Sequence, residues 1–103
     1  MKYKALTCST EAHRLVDKLA EQTGLTRERI VDNAICHMLD LSDAGIFALP
    51  NMPAGEGYNI RARPDTHKRL REVKERTRLP LFTLTNKAIY NYCTKGVTIS
   101  VGD

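Results

Sequence analysis

The chain repeats itself at a distance of 54 residues. Laid over residues 60–93, residues 6–39 match without a gap: His13 meets His67, Glu21 meets Glu75, Thr23 meets Thr77, Leu25 meets Leu79, and Ala34-Ile35 meets Ala88-Ile89. The apolar positions agree in kind at Leu6/Ile60, Val16/Leu70, Leu19/Val73, Ile30/Leu84 and Met38/Tyr92. Two copies of a unit of about 40 residues are too few for a solenoid and most simply make one pseudo-symmetric body. The 103 residues therefore divide, within a single domain 1–103, into repeat one (2–40), a linker (41–57), repeat two (58–95) and a C-terminal tail (96–103).

Each copy has the same internal order. Lys4–Cys8 and Tyr58–Ala62 alternate with period two, which predicts a strand with Leu6 and Cys8, or Tyr58, Ile60 and Ala62, on one face. Ala5 and Thr7, or Asn59 and Arg61, fall on the other. A helix start follows each strand: Ser9 is a good N-cap, and Pro64 with Asp65 suits a first turn. The first helix runs to Thr23 in one copy and Thr77 in the other. Gly24 stops it in copy one, where copy two has Arg78. Thr26 and Pro80 open second helices carrying Ile30, Ala34, Ile35 and Met38, then Leu84, Ala88, Ile89 and Tyr92.

A single unit has no partner for the backbone of its strand and two short helices bury too little. Pairing the two units solves both problems, predicting a mainly α protein with a short two-stranded antiparallel β-ribbon above four interlocked helices. The linker carries an apolar island, Ile46-Phe47-Ala48-Leu49, expected to pack over the shared core. Val97–Val101 alternates like a strand, extending the sheet or docking on an edge.

This order resembles the ribbon-helix-helix superfamily, the MetJ, Arc and CopG type of DNA-binding protein, over residues 4–39 and 58–94. The most specific stretch is Ile60-Arg61-Ala62-Arg63-Pro64-Asp65-Thr66-His67-Lys68-Arg69-Leu70, similar to the strand-to-helix passage of CopG-type members. Thr77-Arg78-Leu79-Pro80-Leu81 resembles their inter-helix turn. Two units on one chain, forming an intramolecular pseudo-dimer, resemble the TraY-type tandem proteins of conjugative plasmids. The resemblance implies a cytoplasmic double-stranded DNA-binding protein, either a transcriptional repressor or a plasmid or phage accessory factor. A second copy on adjacent DNA is a further expected partner. The alternative is a protein-interaction module on the same fold, such as an antitoxin or a phage- or plasmid-encoded inhibitor.

A two-stranded ribbon fits the major groove and presents its outward side chains to base edges. Asn59 and Arg61 match adenine and guanine bidentately, whereas Ala5 and Thr7 offer a methyl contact or one hydrogen bond. These four are the expected base contacts. Arg63 sits where an N-cap is needed and is a poor cap, which marks it for phosphate or base contact, with phosphate the expected role. The resemblance assigns phosphate binding to the opening of the second helices, here Thr26, Arg27 and Leu81, and helix N-termini do bind anions. Lys68 joins this set, from a helix on which Arg69, Arg71, Lys74, Arg76 and Arg78 also lie and are expected to be mainly surface.

Charge supports a polyanion partner. Residues 1–56 hold six Lys/Arg and eight Asp/Glu, a net −2, while residues 57–103 hold ten and four, a net +6. Cys8, Cys36 and Cys93 are odd in number and far apart, reading as buried thiols of a reducing compartment. Cys36-His37 lacks zinc-site spacing, and no phosphate loop or catalytic triad order is present. No enzyme, cofactor, metal or small-molecule substrate is expected. No apolar run approaches the ~18 residues of a membrane span, and Met1–Lys4 leads into no apolar stretch of a signal peptide.

Overall fold

Local signals at the chain's capping residues set the element boundaries. A computed structural model of the chain describes residues 2–51 and 56–102, with side-chain surroundings through residue 94. Strand β1 (Lys4–Ser9) runs into α1 (Thr10–Thr23), then α2 (Arg27–Leu39) and the short α3 (Asp43–Ala48). Strand β2 (Gly57–Ala62) leads to α4 (Pro64–Thr77) and α5 (Leu81–Gly102). The Ser9 hydroxyl accepts from the Ala12 N–H, capping α1, and Thr26 caps α2 by accepting from the Arg29 N–H, both at 3.2 Å.

The two copies use one turn. Gly24 stands in the left-handed region (φ 78°) and donates to the Ala20 carbonyl; Arg78 stands there too (φ 62°) and donates to the Lys74 carbonyl. A non-glycine there costs roughly 1–2 kcal/mol. Thr23 and Thr77 each donate a hydroxyl to the carbonyl four residues back and accept the N–H two residues on. Arg63 takes the N-cap place of α4 without a side-chain bond, and Pro64 opens the helix.

The strands pair antiparallel, with Leu6 opposite Ile60, Ala5 opposite Arg61 and Thr7 opposite Asn59. Leu6 thus faces the residue that matches it in the repeat. The chain is mainly helical with one two-stranded sheet among the described residues. Beneath the sheet lies a shared core in which Val16, Ile30, Ile35, Leu70, Leu84 and Ile89 are fully buried. α2 packs against β2 and α5 against β1, so each second helix flanks the strand of the other repeat. Asn86 of α5 accepts the Ser9 N–H at 2.9 Å, fastening the end of β1.

The linker contains α3. Ile46 is fully buried, as expected for the apolar island, while Phe47 is 52% exposed. Arg76 grips the Asp43 carboxylate through Nε and Nη2, and the buried Lys87 ammonium donates to the Leu49 carbonyl at 2.6 Å. Residues 52–55 of the linker and residue 103 of the tail lie outside the described residues.

Two expectations are corrected. The tail, read as strand-like over 96–103, continues α5 as helix to Gly102. Extending an existing helix needs no new nucleus, whereas a strand needs a partner edge, and among the described residues β1 and β2 pair with each other. Tyr58 shares the inner parity of Ile60 but is 41% exposed. It lies at the ribbon's end, where its ring stacks on His13 (centroids 4.8 Å apart, planes at 22°).

Candidate nucleic-acid interface

Strand alternation divides the ribbon cleanly. Leu6, Cys8, Ile60 and Ala62 are buried, while Ala5, Thr7, Asn59 and Arg61 are exposed. The pairing sets Ala5 across from Arg61 and Thr7 across from Asn59. Opposed side chains start about 5 Å apart, so the four make a two-by-two array on one face.

The array is unequal. Asn59 and Arg61 border a groove with His13, Arg27, Glu28 and Val31, which brings two expected base readers and one expected phosphate ligand together. Arg27 does not lie free. Its Nε donates to Asp17 Oδ1 across the α1–α2 turn, and Asp17 Oδ2 lies 3.3 Å from His13 Nδ1. Tyr58, His13, Asp17 and Arg27 therefore form a continuous chain of contacts along the β2 flank. With Nε engaged, the terminal nitrogens of Arg27 keep their donors for another acceptor.

The other candidates are placed differently. The Thr26 hydroxyl is spent on its own helix cap. Arg63 is exposed and shares a recess with Tyr3, Thr26, Glu28, Arg29 and Asp32. The Glu28 and Asp32 carboxylates line the same recess. Asp32 matches Asn86 in the repeat, yet its buried Oδ1 has no hydrogen-bond partner. Leu81 opens α5 on the β1 flank and is half-buried against the core. Only its backbone can serve an anion, and Pro80 before it has no N–H. Lys68 is exposed on α4 and lies outside the groove that gathers Asn59, Arg61 and Arg27.

Sequence reasoning missed Asp17 and Tyr58. The four-residue spacing of His13 and Asp17 on one helix was visible, but the Asp17–Arg27 contact depends on how α1 packs on α2. No matching signal exists in the sequence.

Comparison with protein-family models, curated proteins and solved structures returned no match. Burial pushes the Cys93 thiol up to about 11; burial and then the Asp17 carboxylate do the same for Cys8. Both stay protonated and weakly nucleophilic near neutral pH. Cys36 is only half-buried, its Sγ 3.8 Å from Thr66 Oγ1. Among the described residues no three His, Cys, Asp or Glu side chains converge as a metal site, and no helix is long and apolar enough to cross a membrane.

Proposed function

We propose that the chain is a sequence-specific double-stranded DNA-binding protein of ribbon-helix-helix type. Its two repeats form an intramolecular pseudo-dimer that sets β1 and β2 into the major groove. The observation that carries this reading is the exposed array of Ala5, Thr7, Asn59 and Arg61, with Arg27 beside it. An antiparallel ribbon fits the groove's width of about 12 Å, and Asn and Arg match adenine and guanine there. The pairing of Leu6 with its repeat mate Ile60 supports an approximate two-fold axis through the ribbon. A repressor or a plasmid or phage accessory factor acting in the cytoplasm uses such a module.

The test is binding to random duplex DNA across a salt series. With about four to six phosphates engaged, log affinity falls against log salt with a slope of about −4 to −5. A flat response refutes DNA binding and turns attention to a protein partner for the acidic first repeat.

A further inference from the structure

The two flanks of the ribbon differ by a charge exchange at matching positions. On the β2 flank the order is Tyr58, His13, Asp17, Arg27. Adding or subtracting the 54-residue repeat gives, on the β1 flank, Lys4, His67, Arg71, Leu81. Where α2 presents Arg27, α5 presents a leucine. Where α1 presents the carboxylate that reaches Arg27, α4 presents a guanidinium.

We infer that Arg71 and Lys4 form a second site for a DNA backbone phosphate, on the β1 flank, with the arginine supplied by α4 instead of by the helix opening. The inference rests on the proposed DNA-binding reading and extends it to residues that the resemblance does not assign. The geometry follows from the repeat: a side chain at position 17 spans the gap from the first helix to the start of the second. Position 71 holds the equivalent place on α4, beside the start of α5. Arg71 and Lys4 also share a neighbour. Arg71 stands one helical turn from His67 on α4, and burial, then the Arg71 and Lys4 charges, lower the pKa of His67.

These cations are uncompensated. The ion pairs among the described residues are His13–Asp17, Arg14–Glu11, Arg27–Asp17 and Arg76–Asp43. Arg71 and Lys4 belong to none of them. Asp65, Glu72 and Glu75 share α4 with Arg71 without pairing to it, β1 has no acid, and residues 81–94 of α5 have none. A phosphate diester fits such a place: its two free oxygens accept the guanidinium bidentately, and the ammonium adds a point charge. The β1 flank then anchors the duplex while the β2 flank reads it, which explains why its outward residues are only Ala5 and Thr7.

Fluorescence anisotropy with a labelled random-sequence duplex of about 30 base pairs, over about 50 to 200 mM salt, tests the assignment. Wild type, Arg71→Ala, Arg71→Lys and Arg76→Ala are compared. Arg76→Ala removes the same charge from the far end of α4, beside Asp43. Arg71→Ala is expected to bind several-fold more weakly with a salt slope shallower by about 1, Arg71→Lys to keep the slope, and Arg76→Ala to match wild type. If wild type binds and Arg71→Ala equals Arg76→Ala, the phosphate site is overturned and the DNA reading stands. If wild type shows no salt-dependent binding, both fall together.

Discussion

Replacing Arg61 by alanine is the most informative single change at the ribbon. Arg61 is exposed and lies across from Ala5, which offers no competing side chain. Its guanidinium is free to take the two acceptors of a guanine, a contact worth roughly 1–3 kcal/mol of discrimination. Arg61→Ala is therefore expected to lower affinity for the preferred site by about 5- to 150-fold and to relax specificity at one or two base pairs. Thr7→Ala removes one hydroxyl in a wet interface, where water replaces it, so a loss of about two-fold or less is expected. The asymmetry sets the shape of the site: informative bases concentrate under β2, and the selected sequence is not a palindrome. The assay is site selection from a random pool, then a binding-energy matrix on singly substituted duplexes for wild type and both variants. Equal losses for the two variants, or a selected site with perfect two-fold symmetry, refute the reasoning and point to two chains pairing through like copies.

The linker and the β1 flank give two further predictions. Ile46→Ala empties a fully buried position on α3 and is expected to cost about 2–4 kcal/mol in urea denaturation. Phe47→Ala, at a half-exposed ring, is expected to cost less than about 1; equal costs mean that the island does not pack as described. His67 has a folded-state pKa below its ordinary 6.5, through burial and then the Arg71 and Lys4 charges. The unfolded chain then binds the proton first as pH falls, so stability is full above the ordinary value and declines as pH drops below it. His67→Gln is expected to flatten that acid limb, measured as thermal midpoint against pH, and an unchanged limb refutes the assignment.

Much of the fold was legible because its signals are local and occur twice. Ser9, Gly24, Thr26 and Pro64 each act on their own backbone within four residues, so the boundaries of α1, α2 and α4 could be read from the chain. Strand alternation sorted Leu6, Cys8, Ile60 and Ala62 from Ala5, Thr7, Asn59 and Arg61, because side-chain direction in a strand follows parity. Parity failed at Tyr58, near the ribbon's end, where the ring stacks on His13 and stays 41% exposed. It failed again at Val97–Val101, where β-branched alternation lost to continuation of a helix already formed. At the interface, the groove joining Arg27 to Asn59 and Arg61 was partly legible, since helix openings and ribbon faces are separate local signals. The Asp17–Arg27 contact was not, because it depends on the packing of two helices across a turn.

Under the proposed reading, putting both units on one chain removes a constraint that a dimer of identical units must obey. In such a dimer every ribbon residue appears on both strands, and any change to one flank is made to the other. Here several positions that face the core stay similar, as at Leu6/Ile60, Val16/Leu70, Ala34/Ala88 and Ile35/Ile89. Such exchanges cost a packed interior least, although the buried pairs Val31/Thr85 and Ala12/Thr66 exchange an apolar side chain for a hydroxyl. Outward positions carry no such restriction, and they differ in chemical class: Ala5 against Asn59, Thr7 against Arg61, Asp17 against Arg71. The acidic residue at 17 and the basic one at 71 lie where interior packing is indifferent to charge but a polyanion is not. The division of the chain into a net −2 part and a net +6 part then lies largely on outward positions, with the buried Lys87 an exception.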